Sequence, residues 1–76
     1  MSRLRWQCRR GMRELDDLLL RYLDHRYEHA PCVQKLAFRT LLELPDPDLV
    51  GYLLNNRDPA PELRQVVDDI LDRTAP

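Results

Sequence analysis

Glycine is nearly missing from this chain: Gly11 and Gly51 are the only two in 76 residues. A phosphate-cradling loop needs several, so neither a P-loop nor a dinucleotide fingerprint can be built. A dinucleotide therefore has no binding fold here, and no stably bound cofactor is expected. Cysteine is as scarce. Cys8 and Cys32 form no CxxC pair, and two thiols make no disulfide framework, so both read as buried or spare thiols. Lysine occurs once, at Lys35, and the net charge is -1. That balance gives no diffuse basic surface and argues against nucleic acid. No apolar run approaches the ~20 residues of a membrane span. The N-terminal arginines precede no apolar stretch of the kind a secretory signal carries, so a cytoplasmic location without membrane insertion is expected. Ser2 and Thr74 lie near the ends, and Cys8 has no histidine at a useful spacing, so no nucleophile–base pair is visible. The length itself allows one domain with a thin core, burying ~60% of the unfolded surface. Such a chain has no room for both a scaffold and a deep catalytic pocket, and a binding module is the default reading.

What periodicity there is has helical period. Met12, Leu15, Leu18, Leu19, Tyr22 and Leu23 make one stripe, predicting a helix over about 12–28. Val33, Leu36, Ala37, Thr40, Leu41 and Leu44 do the same over about 31–43, with Pro31 in the first turn. Asp46-Pro47-Asp48 is a start signal, with Asp46 as N-cap and Pro47 as the first helical residue; that helix ends at Asn55-Asn56. Leu63, Val66, Val67, Ile70 and Leu71 mark a last helix over about 60–73. A short helix over about 3–10 is broken or bent at Gly11. No stretch alternates convincingly, and hairpin pairs such as Asn-Gly are absent. The expected fold is all-α, a single-domain bundle of about five helices ordered over about 3–73. Leu19, Leu23, Leu36, Leu41, Leu53, Val67 and Ile70 are its predicted buried residues, with Tyr52 mainly in the core.

The run Arg9-Arg10-Gly11-Met12-Arg13-Glu14-Leu15-Asp16 follows no core or capping rule. Arginine is the side chain for planar, two-pronged recognition of carboxylate or phosphate. A glycine at such a junction serves a sharp backbone turn or a close approach by something large. The run reads as a contact surface, with Trp6 as a neighbouring aromatic anchor of the kind enriched in interfaces. Glu14 either pairs with Arg10 four residues earlier or projects beside Gly11 toward a partner; the two are one turn apart if helix continues past Gly11. Charge is also sorted along the sequence. Residues 1–13 carry five arginines and no acid, whereas 43–72 carry eight acids against Arg57 and Arg64. That polarity suits oriented docking better than general adhesion.

His25-Arg26-Tyr27-Glu28-His29 matches H-x-x-E-H, in which two histidines on one helix face bind zinc beside a glutamate base. No third ligand is apparent in a chain of this size, so no metal is expected.

Three segments resemble a known family. They are Trp6-Gln7-Cys8-Arg9-Arg10-Gly11-Met12-Arg13-Glu14-Leu15-Asp16, then Leu41-Leu42-Glu43 with Pro45-Asp46-Pro47-Asp48-Leu49, then Tyr52-Leu53-Leu54-Asn55. In order and spacing they are similar to the bacterial factors that assist covalent FAD attachment to succinate dehydrogenase, the SdhE type, also labelled CptB-type antitoxin. Family members often carry Trp where this chain has Tyr52. The resemblance implies a five-helix bundle that binds the flavoprotein subunit of succinate dehydrogenase or fumarate reductase. It implies that the RGxxE surface, Arg10, Gly11 and Glu14, faces that subunit near its FAD-linking histidine. It also implies an assembly factor that is no enzyme, the FAD belonging to the client. The expected partner-binding set is Trp6, Arg9, Arg10, Gly11, Met12, Arg13 and Glu14, on a monomer whose exposed N-terminal face is where a weak dimer would form. An antitoxin-like regulatory interaction domain is the alternative class, but neither a disordered arm nor a DNA-binding module is visible.

Overall fold

Prolines open three of the helices. In the computed structural model, which describes residues 3–72, the elements are α1 (Arg3–Gln7), α2 (Arg13–His25), α3 (Cys32–Leu42), α4 (Asp46–Leu53) and α5 (Pro61–Ile70), with a 3-10 turn at Tyr27–His29. No strand occurs among the described residues. Pro61 is the first residue of α5, and Pro31 and Pro45 occupy the N-cap positions of α3 and α4 with extended ψ of 157° and 154°. The fixed proline φ suits that position, and the ring's missing N–H is no loss there. Two expectations shift by a residue as a result. Pro31 precedes the first turn of α3 instead of lying in it. Pro45, not Asp46, caps α4, leaving Asp46 and Pro47 as its first two residues. The Asp46 carboxylate is thereby free to leave the helix and meet another element.

The expected helix over 12–28 is divided. Arg26 leaves helical geometry at φ -127° and ψ -31°, and the chain then tightens into the 3-10 turn. α5 packs on α3 and on α2, while α4 touches both α2 and α5. Arg21 and Arg26 hold the far end of α5: Arg21 Nη2 donates to the Ile70 carbonyl at 3.4 Å, and Arg26 Nη1 to the Asp69 carbonyl at 3.1 Å. Both guanidinium groups also meet the negative end of the helix dipole.

Leu15, Leu19 and Tyr22 of α2 meet Phe38, Leu41 and Leu42 of α3, Leu49 and Leu53 of α4, and Leu63, Val66, Val67 and Ile70 of α5. Cys8 joins them, fully buried. Of the seven residues expected inside, Leu19, Leu41, Leu53, Val67 and Ile70 are buried. Leu23 is half-buried, and Leu36 is 64% exposed beside Val33 at 76%. The reason is Phe38. Its ring stands 4.7 Å from that of Tyr22 and 5.5 Å from that of Tyr27, and it is fully buried. A residue two positions away on a helix lies nearly opposite, so seating Phe38 turns Leu36 to the surface. The apolar stripe read at Val33, Leu36 and Thr40 is therefore the outer face of α3. Tyr52 is half-buried, with the Arg57 guanidinium 4.7 Å above its ring. Gly51 permits this: a Cβ there would stand 3.1 Å from Arg57 Nη1.

Truncation should follow burial. Phe38→Ala should lower unfolding free energy by ~3–5 kcal/mol, whereas Leu36→Ala should stay within ~0.5 kcal/mol, both read from urea denaturation. The thiols should divide the same way. Burial pushes the Cys8 thiol up to about 11, only partly offset by Arg10 and Arg5, whereas Cys32 is exposed. Near pH 8 a thiol reagent should label Cys32 alone in native protein and both cysteines in denaturant. A raised thiol pKa also means that the unfolded chain ionises first. Cys8 should therefore make stability fall as pH rises from about 9 toward 11, and Cys8→Ala should flatten that fall.

Candidate docking surface

The arginine–glycine run forms the turn between α1 and α2, and its shape is set by Asp16. α1 closes with Cys8 N–H donating to the Arg5 carbonyl at 3.2 Å and Arg9 N–H to the Trp6 carbonyl at 3.1 Å. Buried Cys8 fixes this end to the core. The chain then reverses at Gly11, φ +85°, and passes through extended Met12 into α2. Met12 supplies no side-chain cap. Asp16, one turn into α2, reaches back instead: Oδ1 accepts from the Arg10 N–H at 2.7 Å and Oδ2 from the Gly11 N–H at 3.3 Å. One carboxylate thus satisfies two backbone donors at the positive end of the helix.

The Arg10 side chain leaves this turn inward, its side chain only 17% exposed. Nη2 donates to the Leu42 carbonyl at the end of α3. Nη1 donates to Asp46 Oδ1 at 3.3 Å at the start of α4. Arg10 therefore ties the α1–α2 turn to the α3–α4 corner. Helix is interrupted at Gly11, as expected, so Arg10 and Glu14 are not successive turns of one helix and do not form an ion pair. The Arg10 fork is engaged within its own chain.

The rest of the run faces outward. Arg9, Gly11, Arg13 and Glu14 are exposed, and Met12 is half-buried with its side chain against the core. Trp6 is 68% exposed and borders a shallow depression with Gln7, Arg9, Arg10 and Leu42. Among the described residues, the side chains of Arg9, Arg13 and Glu14 make no ion pair or hydrogen bond. A Cβ added at Gly11 would meet nothing within 4 Å. The glycine thus satisfies both readings of it: its backbone needs positive φ, and the space above it is open. The run read as a contact surface includes Asp16 but not its turn-holding role, and it omits Asp46. An acid five or six residues beyond a glycine turn was the available signal for Asp16, and the helix-start reading of Asp46 concealed its second partner.

His25 and His29 do not share a helix face. α2 ends at His25 and His29 closes the 3-10 turn. Among the described residues, no group of three or more His, Cys, Asp or Glu side chains is placed to hold a metal ion.

A family model described as "Flavinator of succinate dehydrogenase" matches residues 2–74. The chain belongs to that family. Curated relatives agree with it. The chain is 42% identical to the FAD assembly factor SdhE of Yersinia pseudotuberculosis, covering 95% of this chain and 83% of the relative. It is 41% identical to that of Pectobacterium atrosepticum over the same shares. To that of Shewanella oneidensis it is 39% identical, covering 100% of this chain and 94% of the relative. No solved structure matches the chain. The matched region includes the Gly11 turn, both of its Asp16 contacts and the Arg10 brace.

Two substitutions separate the turn from the surface it presents. Asp16→Ala should destabilise the domain by ~1–3 kcal/mol, since it strands the part-buried Arg10 N–H. Asp16→Asn keeps an acceptor oxygen and should cost less. Equal melting temperatures for wild type and Asp16→Ala would show that the turn holds its shape without the carboxylate.

Proposed function

We propose that this chain binds the flavoprotein subunit of succinate dehydrogenase, or of fumarate reductase, and promotes covalent attachment of its FAD. The observation that carries the reading is a braced turn displaying Trp6, Arg9, Arg13 and Glu14 without intramolecular partners for the three charges, in a chain of the flavinator family. The exposed side chains of such a rigid turn lose little further freedom on docking, which favours affinity. Trp and Arg are also the residues most enriched among energetically dominant interface contacts.

The chemistry belongs to the client. Joining a flavin to a client histidine needs a held geometry and stabilisation of the charge that develops. A protein that selects and holds one client conformation supplies both without forming a bond itself. In this reading the factor is a cytoplasmic chaperone, monomeric in its free state. No helix of the described residues is long and apolar enough to cross a membrane. Arg10 acts through the turn as a positioning residue, and Glu14 is the acid that meets the client beside the open space over Gly11.

Glu14→Ala removes no ion pair or hydrogen bond within the domain, so its unfolding free energy should change by less than ~0.5 kcal/mol. Truncating a charge that becomes desolvated on docking costs ~2–5 kcal/mol of binding, so covalent flavin in the client should fall sharply. In-gel flavin fluorescence of the denatured client, from cells lacking the factor and complemented with each variant, reads this directly. Glu62→Ala is the control, because Glu62 is exposed; Asp72 is unsuitable, since it accepts from Arg26 at 3.1 Å. Gly11→Ala should be destabilised by ~1–2 kcal/mol from its positive φ. Gly11→Arg should match it in stability, since no neighbour stands over the Cβ, and fall further only in client binding. Equal covalent flavin with and without the protein would remove this function.

A further inference from the structure

Beyond the Gly11 turn, the exposed side of α2 continues as a second kind of surface. Glu14, Asp17, Leu18 and Arg21 line a shallow depression together with Leu54, which follows α4. Positions 14, 17, 18 and 21 share one helix face by their three- and four-residue spacing. Leu18 and Leu54 are half-buried and form an apolar floor, while Glu14 and Asp17 are exposed above one end of it. Both carboxylates are unpaired although partners lie at pairing distance in sequence. Arg13 and Arg21 stand four residues on either side of Asp17, yet no ion pair closes. Arg21 borders the depression with its Nη2 donating to the Ile70 carbonyl at 3.4 Å. Arg10, the third candidate, is held by Leu42 and Asp46.

We propose that this depression receives a basic side chain of the client flavoprotein, its methylene stem lying on Leu18 and Leu54. The proposal rests on the reading above and names the chemistry of the client surface. A lysine or arginine fits both features at once: its methylene stem lies on an apolar floor while its charged head reaches the acids beyond. An acidic segment is repelled by Glu14 and Asp17, and a purely apolar one would cover their charges without a counterion. Arg9 precedes the Gly11 turn and Arg13 opens α2 directly before Glu14, both exposed, so unpaired charges of both signs adjoin on this side of the domain.

The test uses the purified full-length factor and the purified flavoprotein subunit of succinate dehydrogenase, with affinity measured by calorimetry. Asp17→Lys places a like charge against the expected basic residue and should weaken binding by about tenfold or more. Glu62→Lys makes the same charge change on α5 and should stay within about twofold. A photo-crosslinking residue in place of Leu54 should yield a client peptide containing Lys or Arg, and one in place of Leu36 should yield no crosslink. Unchanged affinity for Asp17→Lys while Glu14→Lys abolishes binding overturns this inference and leaves the proposed function standing. So does a crosslink from position 54 to an acidic client stretch, or crosslinking from position 36 alone. Absence of any binding by the wild-type factor overturns both.

Discussion

Arg10 sends a guanidinium into the place where the α1–α2 turn meets the α3–α4 corner, and the candidate surface depends on that contact. Its two acceptors are of different kinds. The Leu42 carbonyl lies at the end of α3, where helical carbonyls lose their internal donors. The Asp46 carboxylate lies at the start of α4. A planar fork with several fixed donors can meet two acceptors at once, whereas an ammonium on a flexible stem would bring a strongly hydrated point charge into a part-buried site. Asp16 then fixes the backbone from which Arg10 departs. A charged run that would ordinarily be a solvated face is divided by this bracing. Arg10 and Asp16 turn inward to hold shape, and Arg9, Arg13 and Glu14 are left outward without internal partners. The paired charges create the presentation of the unpaired ones.

The size of the domain explains why polar side chains take on this work. A core of thirteen buried apolar side chains among the described residues leaves little apolar area to orient short helices, and a chain this small has a correspondingly small margin of stability. Arginine supplies the missing constraints at several junctions. Arg10 ties a turn to a corner, Arg21 and Arg26 grip the end of α5, and Arg57 folds over Gly51 and Tyr52 with a hydrogen bond to Asp48 at 3.3 Å. Exposed ion pairs contribute little individually. Contacts to helix-end carbonyls are different, because they satisfy backbone acceptors that would otherwise need water or a cap.

Much of the architecture was legible in the sequence. Helical period located α2 to α5, and the absence of strand and hairpin signals was enough to settle the class. The rest was not legible for identifiable reasons. The apolar stripe of α3 was read through Val33 and Leu36, because the pattern counts apolar residues equally. A single Phe38 ring, packed at a tilt against Tyr22 and Tyr27, outweighs both, and it sets the rotation of the helix. The one-residue shift at α4 came from two prolines, Pro45 and Pro47, either of which could open a helix. Whether Asp46 caps its own helix or serves Arg10 depends on an element thirty-six residues away, which no local pattern contains.

The candidate surface shows the same division. Its location was legible, because a glycine amid arginines is anomalous by any local rule. The roles within it were not, because the sign of a side chain says nothing of its direction. Arg9, Arg10 and Arg13 are alike as residues and lie within five positions, yet one is a brace and two are exposed. The difference follows from Gly11. α1 has already ended at Gln7, and the positive φ of Gly11 reverses the chain before α2 begins, with Arg10 on the inner side of the turn and Arg9 and Arg13 on the outer. Glycine at this position is therefore more than access for a partner. It assigns which charges are internal and which are displayed, and that links the backbone of one residue to the recognition the whole domain offers.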